Sequence, residues 1–333
     1  MIKYTYLSRR NFFNYLRLSF VFLVASCAKG SKKIVIGFQK TFFPESFKKI
    51  LPKLWDKENI DFIEIYNPKN IYKYNKLDYL LVNDGWLNKL KFDDFKDFDE
   101  DLFSKLNEKS MNFLNTFEKN IRNKLLPLGV IPYGVIIKNN SDIKNIASES
   151  WDFLLHEDLK GKIILPNSPR ILLSLAETID DQKAFNKLID QQNIYDDENA
   201  MDWLLNSKAV VAVMPFFLCQ KILNFDSRLS LVFPRKGVPL MWQFIMCKSY
   251  SNQSSLLEWI DSLDNYNVQK KLFKEGWYPT FKYEYMKDLY NSKDNIKNSG
   301  PSYECLQNSW SLSLLSEKEK NKIEVLWETL LSP

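Results

Sequence analysis

Residues Leu126–Lys138 read LPLGVIPYGVIIK, an apolar stretch rich in β-branched side chains and interrupted by Pro132, Tyr133 and Gly134. This composition predicts a strand that breaks and resumes. Such a strand can leave one sheet and enter another. A second stretch, VPLMWQFIMCK at 238–248, has the same character. We therefore expect the chain to cross twice between two lobes.

Two crossings imply a discontinuous domain, because the chain leaves one lobe, builds the other and returns. The first lobe is expected to comprise residues 28–132 and 247–333, and the second lobe residues 133–246. Strand patterns at 33–38, 61–66 and 77–82 combine with helical patterns as in an α/β sheet. Ligand loops in such sheets follow the carboxyl ends of the strands, and a cleft between lobes is a usual place for a small ligand.

Periodicity and end signals predict the other elements. Strands are expected at 163–165, 209–214 and 229–233, and helices at 43–55, 149–157, 170–176, 200–206, 217–222, 255–263, 268–274 and 317–331.

The composition is that of a soluble globular protein, with 45% hydrophobic and 26% charged residues in a chain of 333, long enough for two cores. Aromatic residues at 15% predict an interior filled by large side chains. The single histidine, His156, lies in a polar helix-like stretch, where a solvated surface position is expected. A histidine metal cluster and a Ser-His-Asp triad are thereby nearly excluded. The sequence also has no Gly-rich loop of the P-loop or dinucleotide type and no visible nucleophile–base pair, so we expect no metal, no cofactor and no enzymatic activity.

The formal charge of +5 comes mostly from the amino terminus, where residues 1–26 hold four basic residues and no acid. Without these four, the 46 basic residues become 42, against 41 acidic ones. Nothing in this balance points to nucleic acid.

The amino terminus resembles a bacterial lipoprotein signal. A twin-arginine stretch, SRRNFF at 8–13, precedes a short apolar run, LSFVFLVA at 18–25, and small residues precede Cys27. The resemblance implies that residues 1–27 are a processed signal, that Cys27 is lipidated, and that the protein is exported and held at the membrane by a lipid. A buried amphipathic helix is the alternative. Export by the Tat or the Sec route stays open.

Several motifs, in this order, resemble the solute-binding proteins of spermidine/putrescine-type ABC importers. They are LLVND at 80–84, LPLGVIPYG at 126–134, Ser150-Trp151, DLKGKI at 158–163, Ser168-Pro169-Arg170 and GWYPT at 276–280. The likeness covers most of residues 33–285. It implies a two-lobed periplasmic-binding-protein fold of type II with two crossover strands. It also implies a monomer that closes over a small solute and delivers it unaltered to permease subunits.

The departures from this family bear on the ligand. A polyamine needs carboxylates at the spacing of its amines and aromatic faces for its methylenes. Positions where the family has acids hold Ser168, Ile171 and Gln243, and only Asp84 remains as a clear acidic candidate. The resemblance therefore supports solute binding by this protein more strongly than it supports a specificity for polyamines.

Eight side chains are candidates for the ligand site: Gln39, Lys40, Asp84, Trp86, Ser168, Trp242, Gln243 and Tyr278. Lys40 and Tyr278 also have ordinary structural roles, as a solvated loop lysine and as a residue packed at the hinge.

The other candidates also have ordinary roles. Asp84 and Ser168 can cap the helices that follow them, and Trp86 can anchor the core. Trp242 and Gln243 are adjacent in a strand and point to opposite faces, so only one of them is expected to meet the ligand.

Two alternatives to polyamine import stay open. One is a lipoprotein with the same fold and a degenerate cleft that serves as a structural or sensory partner. The other is a binder of an anionic or zwitterionic solute. The pairing of Cys219, Cys247 and Cys305 cannot be decided from their spacing.

Overall fold

The computed structural model describes residues 33–39, 43–44, 60–74, 76–138, 141–196, 198–223, 226–248, 251, 254–263, 265–282, 300–312, 314–316, 318–321, 323, 325 and 327. Within these ranges, no helix is both long enough and apolar enough to cross a membrane.

In the described part of the chain, eleven strands form one continuous mixed sheet, in the order β2-β1-β3-β9-β4-β7-β5-β6 with β8 and β10 beside β4 and β11 beside β9. Their bounds are β1 Ile34–Gln39, β2 Ile60–Ile65, β3 Tyr79–Asn83, β4 Leu126–Lys138, β5 Ile163–Leu165, β6 Gln192–Tyr195, β7 Val211–Pro215, β8 Leu229–Val232, β9 Pro239–Cys247, β10 Tyr278–Pro279 and β11 Trp310–Ser311.

Strand β4 joins two parts of this sheet. Its residues 126–132 pair with β9, whereas residues 133–138 pair with β7 and β8. We call the strands on either side the first half-sheet (β1, β2, β3, β9, β10 and β11) and the second half-sheet (β5, β6, β7 and β8). The expected crossing is thus present. The expected break at Pro132–Gly134 is wrong, because Pro132, which lacks an N–H, falls where β4 changes its partner and the strand continues.

Strand β9 lies entirely in the first half-sheet. It pairs with β3, with the first half of β4 and with β11, so the chain returns in residues 233–238, before the apolar stretch that was expected to cross. Gly237 has a φ of +97°, and a Cβ there would lie 2.3 Å from the carbonyl oxygen of Asn308, so this return requires glycine. We propose residues 133–238 as the second lobe in place of 133–246.

The helices used below are α1 Asp84–Leu87, α2 Glu100–Ser104, α3 Glu108–Leu114, α4 Lys119–Arg122, α5 Ser141–Ala147, α6 Pro169–Ala176, α7 Ala184–Gln191, α8 Ala200–Asn206, α9 Phe216–Leu223, α10 Ser254–Leu263, α11 Tyr266–Lys274 and α12 Tyr303–Asn308. Besides β4 and β9, eleven elements match the expected segments within two residues at each end: β1, β2, β3, β5, β7, β8, α6, α8, α9, α10 and α11. The segment expected as a helix at 149–157 contains a 3-10 helix at Trp151–Leu155, and β6 was not expected. The helix expected at 43–55 lies almost wholly outside the described residues.

Large aromatic side chains fill the interior, as the composition predicted. Trp151, Trp242, Trp259 and Trp277 are each at most 1% exposed. The indole of Trp277 lies against β4 at Gly129, where a Cβ would come within 2.1 Å of the ring, so this close packing requires glycine.

Two of the three cysteines beyond residue 27 can be described. Cys247 and Cys305 are buried free thiols. The side chain of Cys219 lies outside what the structure describes.

Candidate functional site

A cavity of about 410 Å³ opens where the two half-sheets meet. On the side of the first half-sheet, residues of β1, β3, β9 and the adjoining helix α1 line the cavity. On the side of the second half-sheet, Tyr133 of β4 and residues 167–171, where α6 begins, line it. This volume suits a small organic molecule.

Four of the eight predicted site residues line this cavity: Gln39, Asp84, Trp86 and Ser168. Gln39 is buried, and its side-chain oxygen accepts a hydrogen bond from the main-chain N–H of Asn83 at 3.2 Å. Ser168 is the residue before α6, but its side chain makes no capping hydrogen bond to that helix. Its hydroxyl therefore lies in the cavity wall without a capping role.

Trp242, Gln243 and Tyr278 do not line the cavity. The indole of Trp242 stacks on Phe113, with ring centroids 4.5 Å apart, and Tyr278 packs edge-on against Phe273. The expectation that either Trp242 or Gln243 meets the ligand finds no support in this placement, because β9 buries both side chains completely or almost completely.

Gln243 is fully buried, and neither atom of its side-chain amide has a hydrogen-bond partner within the described part of the chain. It lies opposite Asn83 on β3. Lys40 and Cys27 lie outside the described residues. The ligand-binding role of all these candidates stays a prediction.

Asp84 is the first residue of α1 and is 5% exposed. Its carboxylate accepts the main-chain N–H of Trp242 at 3.3 Å, and Oδ2 lies 3.9 Å from Nη2 of Arg170. Burial raises the pKa of the Asp84 carboxyl to about 6, although the guanidinium of Arg170 and the main-chain N–H groups of Trp242, Asp84 and Gly85 act in the opposite direction. The cleft thus holds a buried carboxyl whose pKa is close to neutral pH, together with a permanently charged arginine.

Arg170 is held from the carboxyl-terminal part of the chain. Its Nη2 donates a hydrogen bond to the main-chain carbonyl of Leu312 at 2.9 Å, and its side chain is 13% exposed. Together with Asp84 from the first half-sheet, it forms an ion pair that bridges the two halves of the cleft.

The carboxyl-terminal segment, which we define as the described residues between 310 and 327, lines one side of the cavity with Leu312, Leu315, Lys320, Ile323 and Trp327. Its β11 pairs with β9, and the hydroxyl of Ser311 accepts a hydrogen bond from the indole of Trp242 at 2.8 Å. Trp327 packs edge-on against Tyr195 of β6, with centroids 4.8 Å apart. The segment therefore contacts both half-sheets.

Seventeen other residues line the cavity and were not among the predicted site residues. They are Asn83, Gly85, Asn88, Lys89, Tyr133, Asn167, Pro169, Arg170, Ile171, Glu198, Leu240, Met241, Leu312, Leu315, Lys320, Ile323 and Trp327. Arg170 carried a usable signal, because it belongs to the Ser168-Pro169-Arg170 motif that resembles polyamine-type solute-binding proteins and lies between Ser168 and Ile171, where those proteins have acids. The carboxyl-terminal residues carried none, because their place in the cleft follows from long-range pairing.

His156 lies on the surface, as expected. Its side chain is 45% exposed and its Nδ1 lies 3.5 Å from Oδ2 of Asp158. It does not line the cavity.

Comparison with family models and with curated proteins by sequence gives no match. Solved structures do match over most of the chain. The spermidine/putrescine ABC transporter substrate-binding protein PotD from Streptococcus pneumoniae aligns with a TM-score of 0.66 and 13% identity, covering 90% of this chain and 98% of that one. The TpPotD lipoprotein of Treponema pallidum aligns with a TM-score of 0.63 and 10% identity, over 89% and 98%.

A ferric binding protein from Campylobacter jejuni also matches, with a TM-score of 0.60 and 11% identity over 90% of this chain and 99% of that one. The expected fold class is confirmed: the chain has the α/β, two-lobe fold of periplasmic binding proteins. At these identities the likeness establishes the fold, and neighbours described with different ligands share it.

Proposed function

We propose that this protein is the solute-binding component of an ABC importer and captures a small polar solute without altering it. The observation that carries this proposal is the cavity between the half-sheets, bridged by the buried Asp84–Arg170 pair. Buried charges in a concave site mark a place where polar ligand groups are recognised. A cleft without converging polar groups would instead favour a structural or sensory partner.

The proposed location is outside the cytoplasmic membrane. The order of basic residues, apolar run and Cys27 supports a lipid anchor, and we propose a monomer that hands its solute to permease subunits. Nucleic acid is not among the proposed partners, because the basic excess is confined to residues 1–26.

Polyamine binding is the less supported version of this function. A polyamine would place ammonium groups beside the guanidinium of Arg170, and the acid that could pair with them, Asp84, already faces that guanidinium. An ammonium group that loses its water without gaining a carboxylate is strongly disfavoured.

A thermal-shift screen of residues 28–333 tests the proposal. The compounds are polyamines, amino acids, compatible solutes and small anions at millimolar concentration. A bound compound at a hundred times its Kd stabilises the fold by about 2.7 kcal/mol. At least one class is expected to raise the Tm, whereas no shift with any compound would reject solute binding and favour the degenerate cleft.

Asp84→Asn is the control variant for the polyamine version. If Asp84 is the partner of a ligand amine, the substitution abolishes a shift caused by putrescine or spermidine. A shift that survives the substitution rejects that role for Asp84.

A further inference from the structure

The charges that line the cavity favour an anion over a cation. Within the described lining, Arg170, Lys89 and Lys320 are basic, and Asp84 and Glu198 are acidic. Lys89 and Glu198 are exposed at the rim, and Lys320 is half-buried. The deepest charges are therefore Asp84 and Arg170.

Asp84 is engaged by the protein itself. Its carboxylate accepts the N–H of Trp242 at 3.3 Å and interacts with the N–H groups at the start of α1. Arg170 lies 3.9 Å away as its counter-ion. These partners leave little capacity on this carboxylate for a ligand ammonium.

Arg170 is suited to a ligand carboxylate. Its guanidinium is planar, always charged and able to donate two parallel hydrogen bonds to the two oxygens of a carboxylate. The hydrogen bond to the carbonyl of Leu312 fixes it at the cavity wall, where it is 13% exposed. A guanidinium held in place loses less conformational freedom when a ligand binds.

Apolar side chains surround this cation. Trp86, Ile171, Leu240, Met241 and Leu312 line the same cavity. A ligand with a charged end at Arg170 would therefore place its remaining atoms against hydrocarbon, where burial is favourable.

We propose that the cleft binds a small organic carboxylate with an apolar body, and that Arg170 is the residue that recognises the carboxylate. This assignment rests on the proposed solute-binding function and names its ligand class. The same chemistry is present in a free monocarboxylic acid and in a zwitterionic amino acid, so the test separates these two sources.

Calorimetric titration with matched probes tests the assignment. Leucine and phenylalanine are the zwitterions, and 4-methylpentanoate and 3-phenylpropanoate lack the amine. The four matching amides, leucinamide, phenylalaninamide, 4-methylpentanamide and 3-phenylpropanamide, lack the carboxylate. We expect at least one carboxylate to bind and its amide to bind roughly 100-fold more weakly, since a lost buried charge pair costs that much or more. If both kinds of carboxylate bind, the site does not recognise the amine of the ligand. If only the amino acid binds, the ligand is a zwitterion.

Variants of Arg170 test whether this residue recognises the carboxylate of the ligand. Arg170→Gln is expected to weaken the bound carboxylate roughly 100-fold, and Arg170→Lys, which keeps the charge and loses the planar fork, roughly 10-fold. Arg228→Gln is the matched control, because Arg228 is an exposed arginine paired with Asp226 and does not line the cavity. It should leave the Kd unchanged. If the glutamine variant does not fold, the lysine variant and the amide probes still decide.

Three results would overturn the assignment: an amide that binds as tightly as its carboxylate, an unchanged Kd in a folded Arg170→Gln variant, or no detectable binding of any of the four carboxylates. If none of the carboxylates binds but putrescine raises the Tm, the proposed carboxylate ligand is rejected and the solute-binding function is kept. If no compound binds in either experiment, both the solute-binding function and the carboxylate ligand are rejected.

Discussion

Two aspartate–arginine pairs of this molecule have carboxyl pKa values shifted in opposite directions. Asp84 and Arg170 face each other in the cleft at 3.9 Å, and burial raises the pKa of Asp84 to about 6. Asp226 and Arg228 lie on the surface at 2.6 Å, and hydrogen bonds from Arg228 lower the pKa of Asp226 to about 2. The same pair of residue types therefore gives an easily neutralised acid in one place and a strongly ionised acid in the other.

Solvent and geometry explain the contrast. Arg228 donates from Nε and Nη2 to both oxygens of Asp226 at 2.6–3.2 Å, which holds the carboxylate charged at little desolvation cost. In the cleft, the 3.9 Å contact between Asp84 and Arg170 does not offset the free energy that the Asp84 carboxylate loses when burial removes its water. The cleft thus contains a carboxyl that is more easily neutralised than the one on the surface, beside a permanently charged guanidinium. This contrast agrees with the anionic ligand group proposed from the position and surroundings of Arg170.

The largest expected effect is the pH dependence of Asp84→Asn. Because the folded-state pKa of Asp84 is raised, the contribution of this carboxyl to the stability of the wild type falls as the pH rises from 3.8 to 6. This shift corresponds to about 3 kcal/mol of unfolding free energy. Asp84→Asn is expected to be more stable than the wild type above pH 6 by up to that amount, with the difference vanishing below pH 3.8, as measured by urea unfolding across this range.

Asp226→Asn is the matched variant with the opposite sign. Its carboxyl has a lowered pKa, so it adds stability above its ordinary pKa of 3.8 that is lost as the pH falls toward 2. Asp226→Asn should therefore be the less stable protein at neutral pH. Equal pH profiles for the two variants would remove the contrast between the pairs.

A smaller effect is expected from Arg170→Gln. The variant leaves Asp84 buried without its counter-ion and leaves the carbonyl of Leu312 without this donor, which should lower the unfolding free energy at neutral pH by about 1 to 3 kcal/mol. The loss should shrink below pH 6, where Asp84 becomes neutral. Arg228→Gln should change the Tm much less, because exposed pairs contribute little. An equal loss in both variants would contradict the distinction between them.

The fold was largely predictable because its signals are local. The apolar stretch at Leu126–Lys138 fixed a strand shared by two half-sheets, and the order of short motifs indicated the fold class. The exact return point was not predictable, because the composition of 238–248 is that of a buried strand wherever it pairs. Pairing with β3 and β11 decides that β9 belongs to the first half-sheet.

The site was less predictable than the fold. Gln39 ends a strand, and Asp84, Trp86 and Ser168 lie at the start of helices; such positions can be recognised in a sequence. Trp242 was expected at the cleft because it lies on the strand that was expected to return between the lobes, but its side chain packs on Phe113 and its main-chain N–H donates to Asp84.

The carboxyl-terminal residues of the cleft are a different case. Leu312 and Trp327 lie more than 140 and 130 residues from the residues that they contact, Arg170 and Tyr195. No local pattern encodes such contacts, so they become visible only in the folded chain.

The central claim is that burial outweighs pairing at Asp84. Carbon-13 NMR of protein labelled at the aspartate side-chain carboxyl groups, with Asp84→Asn used to assign the signal, measures this directly. We predict that the Asp84 signal titrates with a midpoint near 6, while that of Asp226 titrates near 2. An Asp84 midpoint at or below its ordinary value of 3.8 would contradict the account.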